Sequence, residues 1–366
     1  MYVKSLDLLN FRNYEKLSLT LDPGINIFYG ANAQGKTNIL EAVYLAGTSK
    51  SHRGTRDRDM IRMGENEGHI RMHVDKNGSD YRIDMHLRKN KSKGIAIGGI
   101  PIRRAGELFG IVNIVFFSPE DLNIIKNGPS ERRRLIDRIL CEIDRIYMSD
   151  LTQYGKCLNQ RNRLLHDLYF NPSLESELPV WDEQLVNYGC RIIEKREEFV
   201  RTLEAIASEI HSELTGEKEK LTLVYEPNVG AGEFAEKVNR SREADRKIKS
   251  TTVGPHRDDI CIKVNDMDLR LYGSQGQQRT TAISLKLAEI RIIEEKIRNK
   301  PVLLLDDVLS ELDRSRQNYL LGSIRDIQTL ITCTGLDEFV QNRFEANRIF
   351  HVVSGSISMS GNSING

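Results

Sequence analysis

The stretch best suited to chemistry is a glycine-bounded loop. It consists of Gly30-Ala31-Asn32-Ala33-Gln34-Gly35-Lys36-Thr37 and fits G-x-x-x-x-G-K-[ST], the pattern of a phosphate-binding loop. Glycines let such a loop curl so that successive backbone N–H groups point at phosphate oxygens. Lys36 is then expected to reach the β- and γ-phosphates, and the Thr37 hydroxyl is expected to ligate Mg²⁺. The spacing therefore predicts a nucleotide-binding site.

Two adjacent carboxylates follow an apolar run much later in the chain. Residues 301–305 predict a buried strand that ends at Asp306 and Asp307. Asp306 is expected to hold Mg²⁺ through water opposite Thr37, and Asp307 is expected to orient or deprotonate an attacking water. Together with the loop, this pair predicts metal-assisted hydrolysis of the nucleotide.

A serine flanked by glycines precedes a helix predicted over residues 280–299. The four residues of this segment are Ser274, Gln275, Gly276 and Gln277. A hydroxyl and glycine-exposed backbone N–H groups at a helix start can cradle an anion. Another strand is predicted over residues 328–334, and it ends in small hydroxyls, including Thr334, that are expected near the γ-phosphate.

Basic residues cluster in the polar segments between these elements. The clusters contain Lys50, Arg53 and Arg56, then Arg88, Lys89, Lys91 and Lys93, then Arg103 and Arg104, and finally Arg132, Arg133 and Arg134. Cations on flexible loops suit a phosphate backbone, because each neutralised phosphate releases counterions. The alternative interpretation is a solvated charged face. The same two alternatives, a DNA-facing ridge or a solubilising face, apply to Lys156, Arg161 and Arg163 on the helix that follows.

The loop requires a strand before it and a helix after it. Ile25–Tyr29 predicts a buried strand, and residues 37–46 predict a helix that Gly47 can end. Two earlier strands, around residues 2–9 and 17–21, are joined by a turn containing Arg12 and Asn13. These two side chains either approach the bound nucleotide or belong to a solvated turn.

The middle of the chain predicts further strands and then helices. Alternating residues at 69–74 and 81–87 predict a small antiparallel sheet, and residues 111–117 predict another buried strand. Apolar residues at helical spacing recur over 135–158 and again over 185–214. The two patterns are separated by prolines, so they predict an antiparallel helical hairpin that forms a short lobe.

Composition limits the remaining possibilities. A chain of 366 residues fits two domains, or one domain with an insertion. Its 53 basic and 52 acidic side chains nearly cancel, so only segregation of the cations favours nucleic acid. The five cysteines form no C-x-x-C pair, which is typical of reduced thiols. With no apolar run of membrane-spanning length and no signal segment, the sequence predicts a cytoplasmic protein without membrane contact.

Taken together, the motifs resemble the chromosome-maintenance branch of the ATP-binding-cassette (ABC) ATPases. Within that branch they are similar to the RecF family of bacterial recombination mediators. The strings that carry this resemblance are LNFRNY at 9–14, FSPEDL at 117–122, ERRR at 131–134, GPHRDD at 254–259, YGSQGQQRT at 272–280 and LLDDVLSELD at 304–313. The resemblance covers essentially the whole chain.

The resemblance implies an α/β ABC-ATPase head, a mixed sheet around the phosphate loop, with an inserted helical lobe. Residues 1–118 and 250–366 would form the ATPase lobe, and 119–249 the insertion. In this family, ATP and Mg²⁺ lie between two heads of a homodimer. Residues 30–37 would bind one nucleotide in cis, Ser274 to Gln277 would contact the other in trans, and Asp313 would lie in a turn across the dimer interface.

The chain departs from transporter-type cassettes on the hydrolysis side. The segment where many of them have a glutamine that contacts metal and water contains Ser118-Pro119-Glu120-Asp121. Thr334 stands where a switch histidine is usual, and Asp307 stands where a glutamate is usual. These changes predict weak ATPase activity with nucleotide binding and dimerisation retained, and the resemblance implies that this activity depends on DNA.

Two classes of function follow from the motifs. One is an ATPase motor or transporter subunit, and the other is an ATP-switched DNA clamp that hydrolysis resets. A transporter ATPase is not expected to carry basic loops at this density, and a helicase is expected to have tandem motor domains. The clamp is therefore favoured, with a motor subunit of another DNA-processing complex as the alternative. The resemblance adds gapped or stalled-fork DNA, RecR and RecO as partners, and roles in repair, replication restart and the SOS response.

Overall fold

The computed structural model describes residues 1–336 and 346–359 of the chain. The chain divides into two compact units. The first contains Met1–Asp121 and the described residues from Ile290 onward, and the second contains Leu122–Glu289. The predicted ATPase lobe also includes residues 337–345 and 360–366, which lie outside the described residues.

This division differs from the predicted boundaries at 118/119 and 249/250. The difference at the second boundary has a physical reason. The strand Asp259–Val264 pairs antiparallel along its whole length with Leu221–Glu226, so residues after 249 belong to the same compact unit as the helices. The functional partition into an ATPase lobe and an inserted lobe stays a prediction.

The strands are named in chain order. They are β1 (Tyr2–Phe11), β2 (Tyr14–Thr20), β3 (Ile25–Tyr29), β4 (Glu67–Lys76), β5 (Ser79–Arg88), β6 (Gly94–Ile97), β7 (Ile100–Pro101), β8 (Ile114–Phe117), β9 (Leu221–Glu226), β10 (Asp259–Val264), β11 (Met267–Asp268), β12 (Val302–Asp306), β13 (Thr329–Cys333), β14 (Arg348–Val353) and β15 (Ser356–Met359).

The helices are named in the same way. They are α1 (Lys36–Thr48), α2 (Asn123–Lys126), α3 (Pro129–Ile143), α4 (Arg145–Asp167), α5 (Leu178–Thr215), α6 (Phe234–Ile248), α7 (Leu269–Tyr272), α8 (Gln275–Ile297) and α9 (Arg314–Ser323). Among residues 1–336 and 346–359, no helix combines the length and the apolar character that crossing a membrane requires.

A mixed six-stranded sheet carries the phosphate loop in the first unit. Its order is β15-β14-β3-β13-β12-β8, and β3 pairs in parallel with both β13 and β14. Every residue of β12 is buried, as expected for a parallel strand covered on both faces. Because neighbouring parallel strands end at the same edge, the loop after β3 and the carboxylates after β12 meet there.

An antiparallel sheet forms the other layer of the first unit. Its order is β2-β1-β4-β5-β6-β7, so the predicted small sheet includes the two N-terminal strands. Alternate residues of β4 are buried, and Ile70 and Met72 belong to the same hydrophobic cluster as Ile39 and Val43 of α1. The two-residue period of the strand and the helical period of α1 thus supply one shared core.

Helix α1 extends beyond its predicted end. It continues to Thr48, and Ser49 ends it in the left-handed conformation at φ 61°. Gly47 lies buried inside the helix, where an added Cβ would come within 2.4 Å of Ile114 Cδ1. Gly47 therefore permits close packing of α1 against β8 and does not terminate the helix.

The second unit contains α2 to α7, most of α8, and the sheet β11-β10-β9. The helical pattern predicted over 135–158 is divided into α3 and α4. Asp144 separates them, because its carboxylate accepts hydrogen bonds from the backbone N–H groups of Ile146 and Tyr147 as an N-cap. The predicted hairpin is therefore wrong in detail: α4 packs along α5, while α3 is a separate helix.

Candidate nucleotide-binding site

Both glycines of the phosphate loop adopt conformations that favour glycine. Gly30 has φ 150° and Gly35 has φ 111°. A Cβ on Gly30 would lie 2.4 Å from the carbonyl oxygen of Val352, and one on Gly35 would lie 2.5 Å from Asn13 Nδ2. The loop can follow this path only because neither residue has a side chain.

Polar side chains fix the loop from outside. Asn13 donates from Nδ2 to the carbonyl oxygen of Gln34 at 2.9 Å and accepts at Oδ1 from Asn38 at 2.8 Å. The Tyr14 hydroxyl donates to the carbonyl oxygen of Gly35 at 3.1 Å, and burial raises the pKa of that hydroxyl. Gln34 Oε1 accepts from the backbone N–H of Ser354 at 2.6 Å. These contacts support the curled path of the loop.

Lys36 folds back over the loop. Its Nζ donates to the carbonyl oxygens of Gly30 at 2.6 Å and Ala31 at 2.8 Å. Burial lowers the pKa of the ammonium group, and the carboxylate of Asp307 opposes that shift. The cation is thus positioned over the curled backbone, where a phosphate would meet both charge and N–H donors.

Asp306 lies at the centre of a hydroxyl-rich edge. Its Oδ1 accepts from the Thr37 hydroxyl at 2.7 Å and from the Thr332 hydroxyl at 2.8 Å. The Thr332 hydroxyl in turn accepts from the backbone N–H of Asp307 at 3.1 Å. Mg²⁺ prefers carboxylate and hydroxyl oxygens, so the Thr37 and Asp306 donor set fits that ion.

These residues line one cavity of about 280 Å³. The lining side chains and loop atoms belong to Asn32, Ala33, Gly35, Lys36, Thr37, Asn38, Arg53, Asp306, Asp307 and Thr332. Asp307 has φ 53°, a left-handed conformation that is costly for a residue with a side chain. Such strain is characteristic of residues whose position serves function, and here it accompanies a carboxylate at the cavity wall.

Arg53 was predicted among the DNA-binding cations, and the structure also brings it to the nucleotide cavity. Its Nη2 lies 3.7 Å from Asp306 Oδ2, and its Nε lies 3.5 Å from Glu120 Oε1. It therefore lines the nucleotide cavity. Thr332 was not singled out by sequence reasoning, whereas Thr334, which was, is exposed beyond β13 and does not line the cavity.

Arg12 contacts helix α1 and does not line the cavity. Its Nε and Nη2 donate to the two carboxylate oxygens of Glu41 at 2.8 and 2.9 Å, and its Nη1 donates to the carbonyl oxygen of Asp59. A buried carboxylate needs such a bidentate partner. Asn13 touches the loop directly, so the two turn residues that sequence analysis paired have different positions.

His52 lies between the cavity and the core. Its ring stacks on Phe116 with centroids 4.0 Å apart, and within the described chain neither ring nitrogen has a hydrogen-bond partner. Burial lowers the pKa of His52 to about 4, and the charge of Arg53 acts in the same direction. The folded protein therefore holds this imidazole neutral.

This burial predicts a pH-dependent loss of stability. Below pH 6.5 the unfolded chain protonates His52, while the folded chain resists protonation down to about pH 4. From pH 7 to pH 5 the free energy of unfolding should fall by about 2 kcal/mol through this residue alone. Urea denaturation at both pH values should show that His52→Phe reduces the loss by that amount. An equal loss in wild type and variant would contradict the assignment.

The serine segment before α8 has a reciprocal cap. The backbone N–H of Ser274 donates to Gln277 Oε1 at 3.0 Å, and the backbone N–H of Gln277 donates to Ser274 Oγ at 3.2 Å. Ser274, Gln275 and Gly276 are exposed. The adjacent Leu271 and Tyr272 are 67% and 72% exposed, which gives this segment an apolar border.

Asp313 caps helix α9. Its Oδ1 accepts from the backbone N–H groups of Ser315 and Arg316, each at 3.0 Å. The hydrogen bond from Arg316 lowers the pKa of the Asp313 carboxyl group. The side chain therefore supports the turn that follows β12.

The predicted DNA-binding cations divide by burial. Arg132 is wrongly placed in that group: it is 5% exposed, and its guanidinium binds both carboxylate oxygens of Asp259 at 2.7 and 2.9 Å. Arg161 is also not on a DNA-facing ridge, because it is fully buried against Asp182 and Asp245. Burying a cation requires such partners, and a paired, buried guanidinium is not available to DNA.

Other candidates are engaged or exposed. Lys93 donates to Asp57 Oδ1 and to the carbonyl oxygen of Ser49, and half-buried Arg133 contacts the carbonyl oxygen of Asp258. Half-buried Arg88 donates to the carbonyl oxygen of Ser92. Besides Arg53, which is exposed at the nucleotide cavity, the exposed members are Lys50, Arg56, Lys89, Lys91, Arg103, Arg104 and Arg134. These seven retain the accessibility that a phosphate contact needs.

Comparison with known families gives a match over nearly the whole chain. The family described as "RecF/RecN/SMC N terminal domain" matches residues 2–357. The DNA replication and repair protein RecF of Agathobacter rectalis is 60% identical over 359 residues, which cover 98% of this chain and 99% of that protein. The RecF proteins of Lachnospira eligens and Clostridium tetani are 57% and 44% identical, with 98% and 97% of this chain covered and 99% of each relative.

Solved structures agree with these sequence matches. The recombination mediator protein RecF with ATP, from the RecFOR pathway, matches with a TM-score of 0.92 and 37% identity over 98% of both chains. The Smc head domain of Pyrococcus furiosus matches with a TM-score of 0.57 and 17% identity, over 98% of this chain and 96% of that one, a likeness of fold alone. The phosphate loop on a mixed sheet, the serine segment before α8 and the paired carboxylates after β12 all occur in a chain that shares its full length with these relatives, and the chain therefore belongs to the RecF family of ABC-type ATPase heads.

Proposed function

We propose that this protein is an ATP-dependent recombination mediator that closes on DNA as a dimeric clamp and is reset by slow ATP hydrolysis. The observation that carries the proposal is the meeting of Lys36, Thr37, Asp306 and Asp307 around one cavity. This set contains a phosphate-binding cation, two oxygen donors for a metal and a carboxylate for water. The 37% identity to a RecF solved with ATP supports ATP as the nucleotide.

Each cavity residue has a proposed role. The backbone of residues 30–37 and the Lys36 ammonium bind the phosphates, Thr37 and Asp306 hold Mg²⁺, and Asp307 orients or deprotonates the attacking water. Mg²⁺, when bound, neutralises phosphate charge. Arg53, at the cavity wall, adds a second cation for the phosphates. Asn13 acts on the loop and not on the nucleotide.

The exposed serine segment supports a dimer. Ser274, Gln275 and Gly276 are exposed at a helix start whose reciprocal cap uses the backbone N–H groups of Ser274 and Gln277 and not those of Gln275 and Gly276. Leu271 and Tyr272 border this segment with exposed apolar area. A second head that brings a γ-phosphate to this segment would satisfy its donors and cover the apolar border. Asp313 and Thr334 are proposed to lie near that interface.

The DNA contacts are assigned to the seven exposed cations identified above. Their charge favours phosphate contacts without sequence preference. The DNA is proposed to be a duplex or a junction, with roles in repair, replication restart and the SOS response; the name of the relatives, DNA replication and repair protein, supports action on DNA in replication and repair. RecR and RecO are proposed as partners, in line with the RecFOR pathway named for the solved RecF.

A salt-dependent DNA titration with and without ATP tests this proposal. Affinity for a duplex or gapped duplex should fall steeply with salt, on the order of 10³-fold between about 50 and 200 mM if six phosphates are neutralised. ATP with Mg²⁺ should raise affinity, because two closed heads present twice the charge. An affinity for DNA that responds to neither salt nor ATP would contradict the clamp proposal.

The variant Asp307→Asn separates the binding of ATP and DNA from the hydrolysis of ATP, when turnover and release from DNA are measured beside the titration. The amide keeps the size of the side chain but removes the charge that would act on water, so ATP binding and the closed state should persist while turnover is lost. The protein should then leave DNA more slowly than wild type. Faster release would contradict the role assigned to Asp307, and rapid directional movement by wild type would favour the motor alternative.

A further inference from the structure

Three potential metal ligands lie together on the exposed face of the antiparallel sheet. Glu67 and His69 are two residues apart on β4, so their side chains point to the same side. His86 on β5 is the direct cross-strand partner of His69. The opposite side of β4 at Gly68 and Ile70 is buried, which fixes the register and directs the three ligands outward.

The distances between these side chains suit a shared ion. One ligand atom from each of Glu67, His69 and His86 lies within 4.8 Å of the other two. His86 Nε2 lies 2.8 Å from Glu67 Oε2, and the two imidazole rings stack with centroids 4.3 Å apart. Ligands on a tetrahedral zinc ion, with bonds near 2.0–2.1 Å, are separated by about 3.4 Å. Side-chain rotations alone would therefore bring the three atoms to that spacing.

The neighbouring guanidinium groups have other partners. Arg71, two residues after His69, donates to Asp84 Oδ1 at 2.6 Å, and Arg82 donates to Asp84 Oδ2 at 2.8 Å. Arg88, two residues after His86, donates to the carbonyl oxygen of Ser92 at 2.7 Å. Each of these cations is directed at an acceptor outside the Glu67, His69 and His86 cluster.

We propose that Glu67, His69 and His86 form a binding site for Zn²⁺ or a similar divalent transition metal. Two imidazoles and one carboxylate favour zinc over Mg²⁺ or Ca²⁺, which prefer oxygen ligands only. Three protein ligands leave a fourth position for water. The ion would join β4 to β5 across the exposed face, and this site is independent of the nucleotide cavity and of the proposed clamp.

Calorimetric titration of the full-length protein with Zn²⁺ alone tests this site. Wild type should bind one zinc ion. Either His69→Gln or His86→Gln should reduce the affinity for zinc by at least about 10- to 100-fold, which is the loss typical when a residue that only supports a metal ligand is mutated. Glu67→Gln should weaken binding as well. Zn²⁺ should also raise the melting temperature of wild type, because a ligand of the folded state stabilises it, and should not raise that of His86→Gln.

His73→Gln is the matched control. His73 lies on the same strand, but its cross-strand partner is Arg82 and not a second histidine, so this variant should bind zinc as wild type does. Circular dichroism without metal would show that the exposed substitutions leave the fold intact. Zinc binding that survives both histidine variants would assign the ion to another site, including the cysteines, and would overturn the proposal. Absence of saturable binding to wild type would overturn it as well.

Discussion

Lys36→Met should abolish ATP-dependent dimerisation and the ATP-stimulated part of DNA binding. Methionine keeps an unbranched apolar side chain, one heavy atom shorter, but removes the ammonium group that donates to the carbonyl oxygens of Gly30 and Ala31. Loss of one or two charged hydrogen bonds to phosphate should weaken ATP binding by roughly 10- to 100-fold or more. Calorimetry with ATP and sedimentation with and without ATP would measure both effects.

A lysine on α6 provides the control for this variant. Lys237 is an exposed residue that forms a surface ion pair with Glu233. Lys237→Met removes the same charge and should leave ATP affinity and the dimer at wild-type values, since exposed pairs contribute little. An unchanged ATP-dependent dimer in Lys36→Met would contradict the model in which ATP held by Lys36 joins two heads.

Ser274→Arg should separate nucleotide binding from dimer closure. The substitution leaves residues 30–37 untouched, so one head should bind ATP with nearly normal affinity. It also places a bulky cation on the exposed segment and removes the Oγ that accepts from the Gln277 backbone. The dimer and its ATPase activity should therefore be lost. Sedimentation with ATP and turnover measured over a range of protein concentrations would check this result.

Mixing the two variants gives a stricter test of contact in trans. In a heterodimer of Ser274→Arg with Lys36→Met, one site pairs the intact loop of the first head with the intact serine segment of the second, and the other site pairs the damaged loop with the damaged segment. One site is therefore complete, so the mixture should show ATPase activity that neither variant shows alone, and its absence would contradict contact in trans. Near-normal turnover by Ser274→Arg alone, independent of protein concentration, would show that each head works without the other.

Features of this fold with a local signal in the sequence, or one that follows from strand geometry, are predictable. The β3–loop–α1 unit was predicted because its glycines, its lysine and its apolar flanks are contiguous. Asp306 was expected opposite Thr37 as a carboxylate at the end of an apolar strand, and in the fold, where neighbouring parallel strands end at one edge, the structure gives 2.7 Å between their oxygens. The division of the helical pattern at Asp144 had a local signal as well, an N-cap residue, which apolar periodicity alone does not reveal.

Other features depend on partners that are distant in sequence. Arg132 and Arg134 are neighbours in one basic string, yet Arg132 is buried because Asp259 accepts both of its donors, and Arg134 is exposed. The clustering of charge in the sequence does not distinguish these two arginines, because it does not reveal which of them lies beside Asp259. Arg53 was likewise assigned to a basic loop, since only the folded chain brings its guanidinium to Asp306. His69 and His86 are brought together only by the register of β4 and β5.

The pairing of β3 with β13 and β14 also constrains how the protein is made on the ribosome. Strand β3 leaves the ribosome early, but both of its neighbours in the sheet are encoded near the other end of the chain. At about 5–20 residues per second, the roughly 300 residues between them take on the order of 15–60 seconds to synthesise. During that interval the sheet β2-β1-β4-β5-β6-β7 and the unit Leu122–Glu289 can fold. The nascent chain thus acquires its nucleotide cavity last, and an incomplete product of translation lacks the strands needed to bind ATP.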